Sequence, residues 1–216
     1  MDGTHFLSVA ILLSTFALVA NKRVRSYIRT FQVQSALVAL GALIVGTEHF
    51  FDRGEWDLLV VAAITLGVKV WAIPRVLLKA HGQGEPRREK DFFYNIPLLV
   101  LCCCALTAFA YFAVLGDGVL ADRGTSHLIN AVAVVLMGLF FMISRRFALG
   151  QIVGFLVMEN GLFVASLFAA GGMPFVVDLG VFVDVLSAVL IMGGLVFQLS
   201  EKFHSLDMVK LRKLRG

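Results

Sequence analysis

The feature that most constrains this chain is a succession of apolar runs, each about twenty residues long, separated by short polar breaks. A helix needs about 20 apolar residues to cross the ~30 Å hydrocarbon core of a bilayer. Runs that meet this requirement cover approximately residues 4–21, 31–50, 57–78, 95–116, 125–144, 147–170 and 174–200. They do not alternate apolar with polar side chains, which excludes the strand pattern of a membrane barrel. Composition agrees, with 59% hydrophobic residues and a mean hydropathy of +0.87, against about 45–50% apolar residues in soluble domains. The expected fold is all-α, a polytopic membrane protein of seven transmembrane helices.

The breaks carry the charge. Polar segments fall at 21–29, 52–57, 79–95 and 116–124, at Arg145 with Arg146, and at the Gly171, Gly172, Pro174 turn. Lys22, Arg23, Arg25, Arg29, Arg75, Lys79, Arg87, Arg88, Lys90, Arg145, Arg146, Lys202, Lys210, Arg212, Lys213 and Arg215 all fall on one side of this seven-span layout. Arg53 and Arg123 fall on the other, and Lys69 lies inside a span. Basic residues collect in cytoplasmic loops, so the layout predicts an outer N-terminus and a cytoplasmic C-terminus. The net charge of +4 thus reports topology rather than nucleic-acid binding. The first run has no basic leader before it, so it is expected to remain as a span rather than to act as a signal peptide. No phosphate loop and no soluble-enzyme motif occurs, and the longest polar stretch suits no water-soluble domain.

Three ionisable residues sit deep within spans: Lys69, Glu159 and Asp184. Such a residue at mid-bilayer costs about 3 kcal/mol by insertion scales and by default marks an ion or proton path. Glu159 lies in the middle of its run and is followed by Asn160, a helix-bridging donor and acceptor, and Gly161, which permits close helix approach. Lys69 is nine to twelve residues from either end of its run, beyond the reach of a snorkelling side chain. It therefore requires a carboxylate partner or a wet cavity. Pro74, five residues on, removes one helical hydrogen bond. Asp184 is about ten residues into the last run, and Asp178 is shallower. For each of these the plainer role is a hydrogen bond or ion pair that locks helices together. Gln34 is expected near the inner face, bonded to a neighbouring helix. His5, His49 and His127 fall near the outer edge at spacings that match no metal or haem motif. His81 and His204 lie in cytoplasmic polar segments. Cys102, Cys103 and Cys104 are consecutive, so they point in different directions around a helix and cannot converge on one metal.

Residues 125–216 resemble the K subunit of respiratory complex I, a three-span membrane-arm subunit. The resemblance is carried by Arg145 with Arg146, Gly154, Met158 with Asn160, an acidic residue within the last span, and Leu206 with Asp207 before a basic tail. One departure stands out: that subunit's usual first glutamate falls on Leu156, and the carboxylate is at Glu159, nearly on the same helix face. The whole chain is more similar to the E subunit of hydrogenase-4, through Gln34 with Ser35, Lys69 with Val70 and Pro74, the run Met158, Glu159, Asn160, Gly161, Asp184 with Ala188 and Val189, and Leu206 with Asp207. The resemblance implies a four-helix extension, 1–120, ahead of a K-subunit-like unit, 121–216. It also implies a non-catalytic subunit of a complex I-like hydrogenase complex in the cell inner membrane, with no cofactor of its own and antiporter-like subunits as neighbours. Proton translocation or energy coupling would run through Glu159, Lys69, Asp184 and Asp178, with Asn160, Gln34 and Pro74 in support. A subunit of a cation/proton antiporter complex and a structural spacer of a membrane arm are the alternatives.

Overall fold

The computed structural model describes residues 3–54, 56–82, 95–116, 123–145 and 148–169. They are entirely helical apart from short connections: α1 (Gly3–Ala20), α2 (Val24–Arg53), α3 (Asp57–Thr65), a π-helical stretch (Leu66–Ala72), α4 (Ile73–Gly82), α5 (Ile96–Gly116), α6 (Arg123–Ser144) and α7 (Ala148–Ala169). With α3, the π stretch and α4 counted as one continuous helix, six helices are long and apolar enough to cross a membrane. They coincide with the first six expected runs. The seventh run, with Asp178 and Asp184, lies outside the described residues, as does the C-terminal tail.

The largest departure from expectation is α2. It begins at Val24 rather than near residue 31 and spans 30 residues, about 45 Å of helix. The break after α1 shrinks to Asn21, Lys22 and Arg23. Basic side chains do not oppose helix formation, so Arg25 and Arg29 continue the helix past the apolar segment. This moves Gln34 from the inner edge to ten residues inside the helix, about 15 Å along its axis. At the other end of α2 the chain reverses at Gly54, which takes the left-handed conformation (φ 71°) and donates its N–H to Phe50 O.

The π stretch follows from no single residue but lies directly before Pro74. Proline has no N–H to offer the carbonyl four residues back, Val70 O. That oxygen instead accepts Gln32 Nε2 from α2 at 2.9 Å. The N–H of Ile73 bonds Val68 O, five residues back, so the wider turn is carried up to the proline. Lys69 sits at the centre of this stretch and is buried.

α6 and α7 form the most extensive helix pair, and glycine sets their separation. A Cβ at Gly138 would lie 2.6 Å from Met158 N, one at Gly154 2.7 Å from Met142 N, and one at Gly161 2.9 Å from Val135 N. The backbones pack directly on each other, the means by which membrane helices gain dispersion contact without a hydrophobic driving force. α2 packs on the other side of α7 and against α1 and the π stretch, and α1 packs against α6. By contrast α5 is the least buried candidate span, with Leu101, Phe109 and Phe112 on its exposed surface, as suits a helix facing lipid tails.

Candidate functional site: a buried ion pair among α2, the π stretch and α7

The carboxylate that Lys69 requires belongs to the same chain. Lys69 Nζ stands 3.3 Å from Glu159 Oε1, with both side chains almost wholly buried. This is an ion-pair contact outside hydrogen-bond geometry. At the same distance of 3.3 Å, Lys69 Nζ donates to Asn160 Oδ1. The amide of Asn160 is thereby oriented, because a lysine ammonium has no acceptor. Its Nδ2 turns the opposite way and donates to Ser35 Oγ of α2 at 3.1 Å. Three elements 34 to 125 residues apart in sequence are thus joined by one chain of contacts.

Local sequence explains how the side chains meet. Glu159 and Asn160 are adjacent on α7, so they straddle the face turned away from the glycines that touch α6. Gly161 closes the opposite side against Val135. Leu156, one turn before Glu159, is also fully buried but offers no charge. Placing the carboxylate at 159 rather than 156 brings it beside Asn160, so that acid and amide both reach Lys69.

Gln34, next to Ser35, donates through Nε2 to Thr15 Oγ1 of α1 at 2.8 Å. Thr15 in turn donates to Ile11 O at 3.0 Å. Both residues are 0% exposed. Nearer the start of α1, Asn130 Nδ2 of α6 donates to Ser8 Oγ at 2.6 Å, and the rings of His5 and His127 stack with centroids 4.2 Å apart. His49 stands elsewhere, half-buried near the end of α2. The three cysteines of α5 differ in burial: Cys103 is buried, Cys102 half-buried and Cys104 exposed.

Arg145 is the residue whose placement departs furthest from its sequence pattern. Expected as a solvated loop cation, it is 3% exposed. Its Nη2 donates to Asn21 O at 2.8 Å and to Val19 O at 3.3 Å, neutralising carbonyls at the negative end of α1. The guanidinium also lies 4.3 Å from the centroid of the Phe141 ring, and Gln151 Nε2 holds the Arg145 carbonyl at 3.2 Å. Gln32, Ser8, Thr15 and Asn130 likewise escape sequence reasoning. Single polar residues in apolar runs are common, and nothing local marks which will meet.

No protein-family model matches the chain, and no solved structure does. Hydrogenase-4 component E of Escherichia coli strain K12 is 25% identical over 161 residues, 74% of either chain, and the component E of Shigella flexneri gives the same figures. Uncharacterized protein Rv0085 of Mycobacterium tuberculosis is 32% identical over 215 residues, covering 97% of this chain and 94% of the relative. A match of that identity along nearly the whole of both chains places this membrane-helical chain in the same family as Rv0085.

Proposed function

We propose that the chain is a non-catalytic integral subunit of a complex I-like, hydrogenase-type membrane complex, and that the Lys69/Glu159 pair relays protons or couples redox energy within it. The observation that carries this is a buried ammonium held between a carboxylate and a neutral amide oxygen at equal distance. When a proton adds to Glu159, its carboxylate charge is lost and the ammonium keeps Asn160 Oδ1 as an acceptor. When the proton leaves, the ion pair re-forms. The protonated state leaves the ammonium without a counter-charge but not without an acceptor, which lowers its desolvation cost below that of an ammonium with no polar partner. The distant likeness to hydrogenase-4 component E supports the choice of complex.

On this reading the subunit carries no cofactor, sits in the cell inner membrane beside antiporter-like subunits, and leaves redox chemistry to other chains. Seven spans, with the N-terminus outside and the C-terminus cytoplasmic, belong to the same proposal. Labelling of Gly3→Cys and Arg215→Cys from opposite membrane faces is expected, and labelling from one face would overturn it. Mass spectrometry of what copurifies with the subunit separates a hydrogenase, marked by nickel-iron subunits, from an antiporter assembly without them.

A second reading draws on the completeness of the pair within one chain: the contacts serve only to lock α7 to the π stretch and α2. Glu159→Gln separates the two. It keeps size and a neutral donor and acceptor but cannot exchange a proton. A relay predicts an assembled complex that no longer translocates protons in membrane vesicles. Undiminished translocation by the assembled variant eliminates the relay.

A further inference from the structure

We propose that the buried and half-buried polar side chains between α1, α6 and α2 form a water-lined proton route from the end of the bundle where α1 and α6 begin to the Lys69/Glu159 pair. The proposal rests on the reading of that pair as a proton relay.

The route is built as a series of polar contacts at successive depths. His5 and Ser8 are one turn apart on α1, and His127 and Asn130 are one turn apart on α6. Each residue meets its counterpart: ring on ring at 4.2 Å, then amide on hydroxyl at 2.6 Å. Thr15 continues the same buried stripe of α1, two turns or about 10.5 Å beyond Ser8, and there meets Gln34. Ser35, beside Gln34 in the chain, receives Asn160, which receives Lys69. Apolar packing alone would hold these helices, and buried polar pairs add little to membrane-helix association. Their alignment toward one ionisable pair therefore needs another explanation.

Gln34 supplies it. Its Oε1 is fully buried and has no protein hydrogen-bond partner among the described residues, a costly condition unless a donor arrives. It belongs to the residue that meets Thr15, and the next residue of α2 is Ser35. Water bonded there would join the two, and the route requires a short file of water past the buried Ile11 across the two turns between Ser8 and Thr15. Serine and threonine hydroxyls each accept one proton while releasing another. An imidazole takes a proton at one ring nitrogen and yields one from the other. At the inner end water beside Ser35 passes the proton to the Glu159 carboxylate, with the neutral Asn160 amide only orienting the site, and the proton leaves by the reverse step, so no net charge is left along the route.

Silver ion, close to water in size, tests this by binding cysteine thiolates only where water reaches them. The full-length protein in sealed membrane vesicles carries Cys102, Cys103 and Cys104 replaced by alanine. Single cysteines are placed at Ser8, at Thr15 and, as a lipid-facing reference on the same helix, at Leu13, which is 61% exposed. An apolar setting raises a thiol's pKa, each unit lowering the thiolate fraction about tenfold. Ser8→Cys and Thr15→Cys are expected to react at least about tenfold faster than Leu13→Cys, from the face that labels Gly3→Cys. Adding Asn130→Leu is expected to slow Thr15→Cys to the Leu13→Cys rate. Gln34→Cys reports on the same contact from α2 should Thr15→Cys fail to accumulate. Thr15→Cys and Gln34→Cys reacting no faster than Leu13→Cys would overturn the route. Because silver reads water access and not pumping, slow labelling beside a pump lost in Glu159→Gln removes the route and leaves the relay. Fast labelling beside a pump that survives Glu159→Gln removes the relay, and with it the proton role of a path that water still enters.

Discussion

The two sides of α7 solve the problem of membrane-helix association in opposite ways. Toward α6, Gly154 and Gly161 receive the backbone of Met142 and Val135, and Gly138 receives that of Met158. That seam is specified by missing volume. Toward α2 and the π stretch, Glu159 and Asn160 meet Lys69 and Ser35, and the seam is specified by charge and hydrogen bonding. The first tolerates no added atom. The second tolerates changes of shape but not the loss of one partner. A single helix thereby has one side fixed by contact and another side fixed by charge and hydrogen bonding.

Breaking the polar side from one partner has the largest expected effect. Lys69→Met leaves a buried carboxylate without its cation and is expected to destabilise the subunit by about 3–5 kcal/mol. The readout is loss of folded protein and of thermal midpoint in detergent. Adding Glu159→Leu to Lys69→Met should restore most of that loss, since replacing both members of a buried pair by apolar groups is often neutral or stabilising. No recovery in the double variant would mean that the pair is not a closed unit.

The glycine side is expected to respond to volume alone. Gly154→Ala places its Cβ 2.7 Å from Met142 N, and should cost about 1–3 kcal/mol by forcing α6 and α7 apart. An unchanged midpoint would show that the seam has slack. Asn160→Ala removes two hydrogen bonds but no charge and should cost about 1 kcal/mol, the scale of such bonds between membrane helices. The smallest effect tests the rule outside both seams. A Cβ at Gly67 would meet nothing within 4 Å. Gly67→Ala should therefore raise the stability read from the same thermal midpoint by under about 1 kcal/mol, the ordinary helix gain of alanine over glycine.

Much of this molecule is legible from residues alone. Six runs of apolar side chains mark the six described spans, and the depth of Lys69 dictates that it must have a partner. What pattern cannot supply is which partner. Lys69 and Glu159 are 90 positions apart, and their meeting depends on α2 and α7 packing together, which no local preference encodes. The start of α2 precedes its apolar run because apolarity defines where lipid begins, not where a helix does. Pro74 foretells a disturbance, yet the π turns lie before it, and the Gln32 side chain that serves Val70 O comes from another helix. Charge and loop position make Arg145 read as solvated, and its burial arises from carbonyls of a helix end that the sequence places 124 residues away.

The Arg145 clamp also decides where this bundle is stiff. It ties the end of α1 to the end of α6, so a relative rocking of those two helices that broke the Ser8/Asn130 contact would pivot there, with displacement growing with distance from the pivot. His127 is 18 residues from Arg145, a lever arm of about 27 Å. A tilt of a few degrees shifts that far end by more than an ångström and leaves the guanidinium contacts almost still. In such a rocking the stacked imidazoles would travel furthest and the clamp would be the fulcrum.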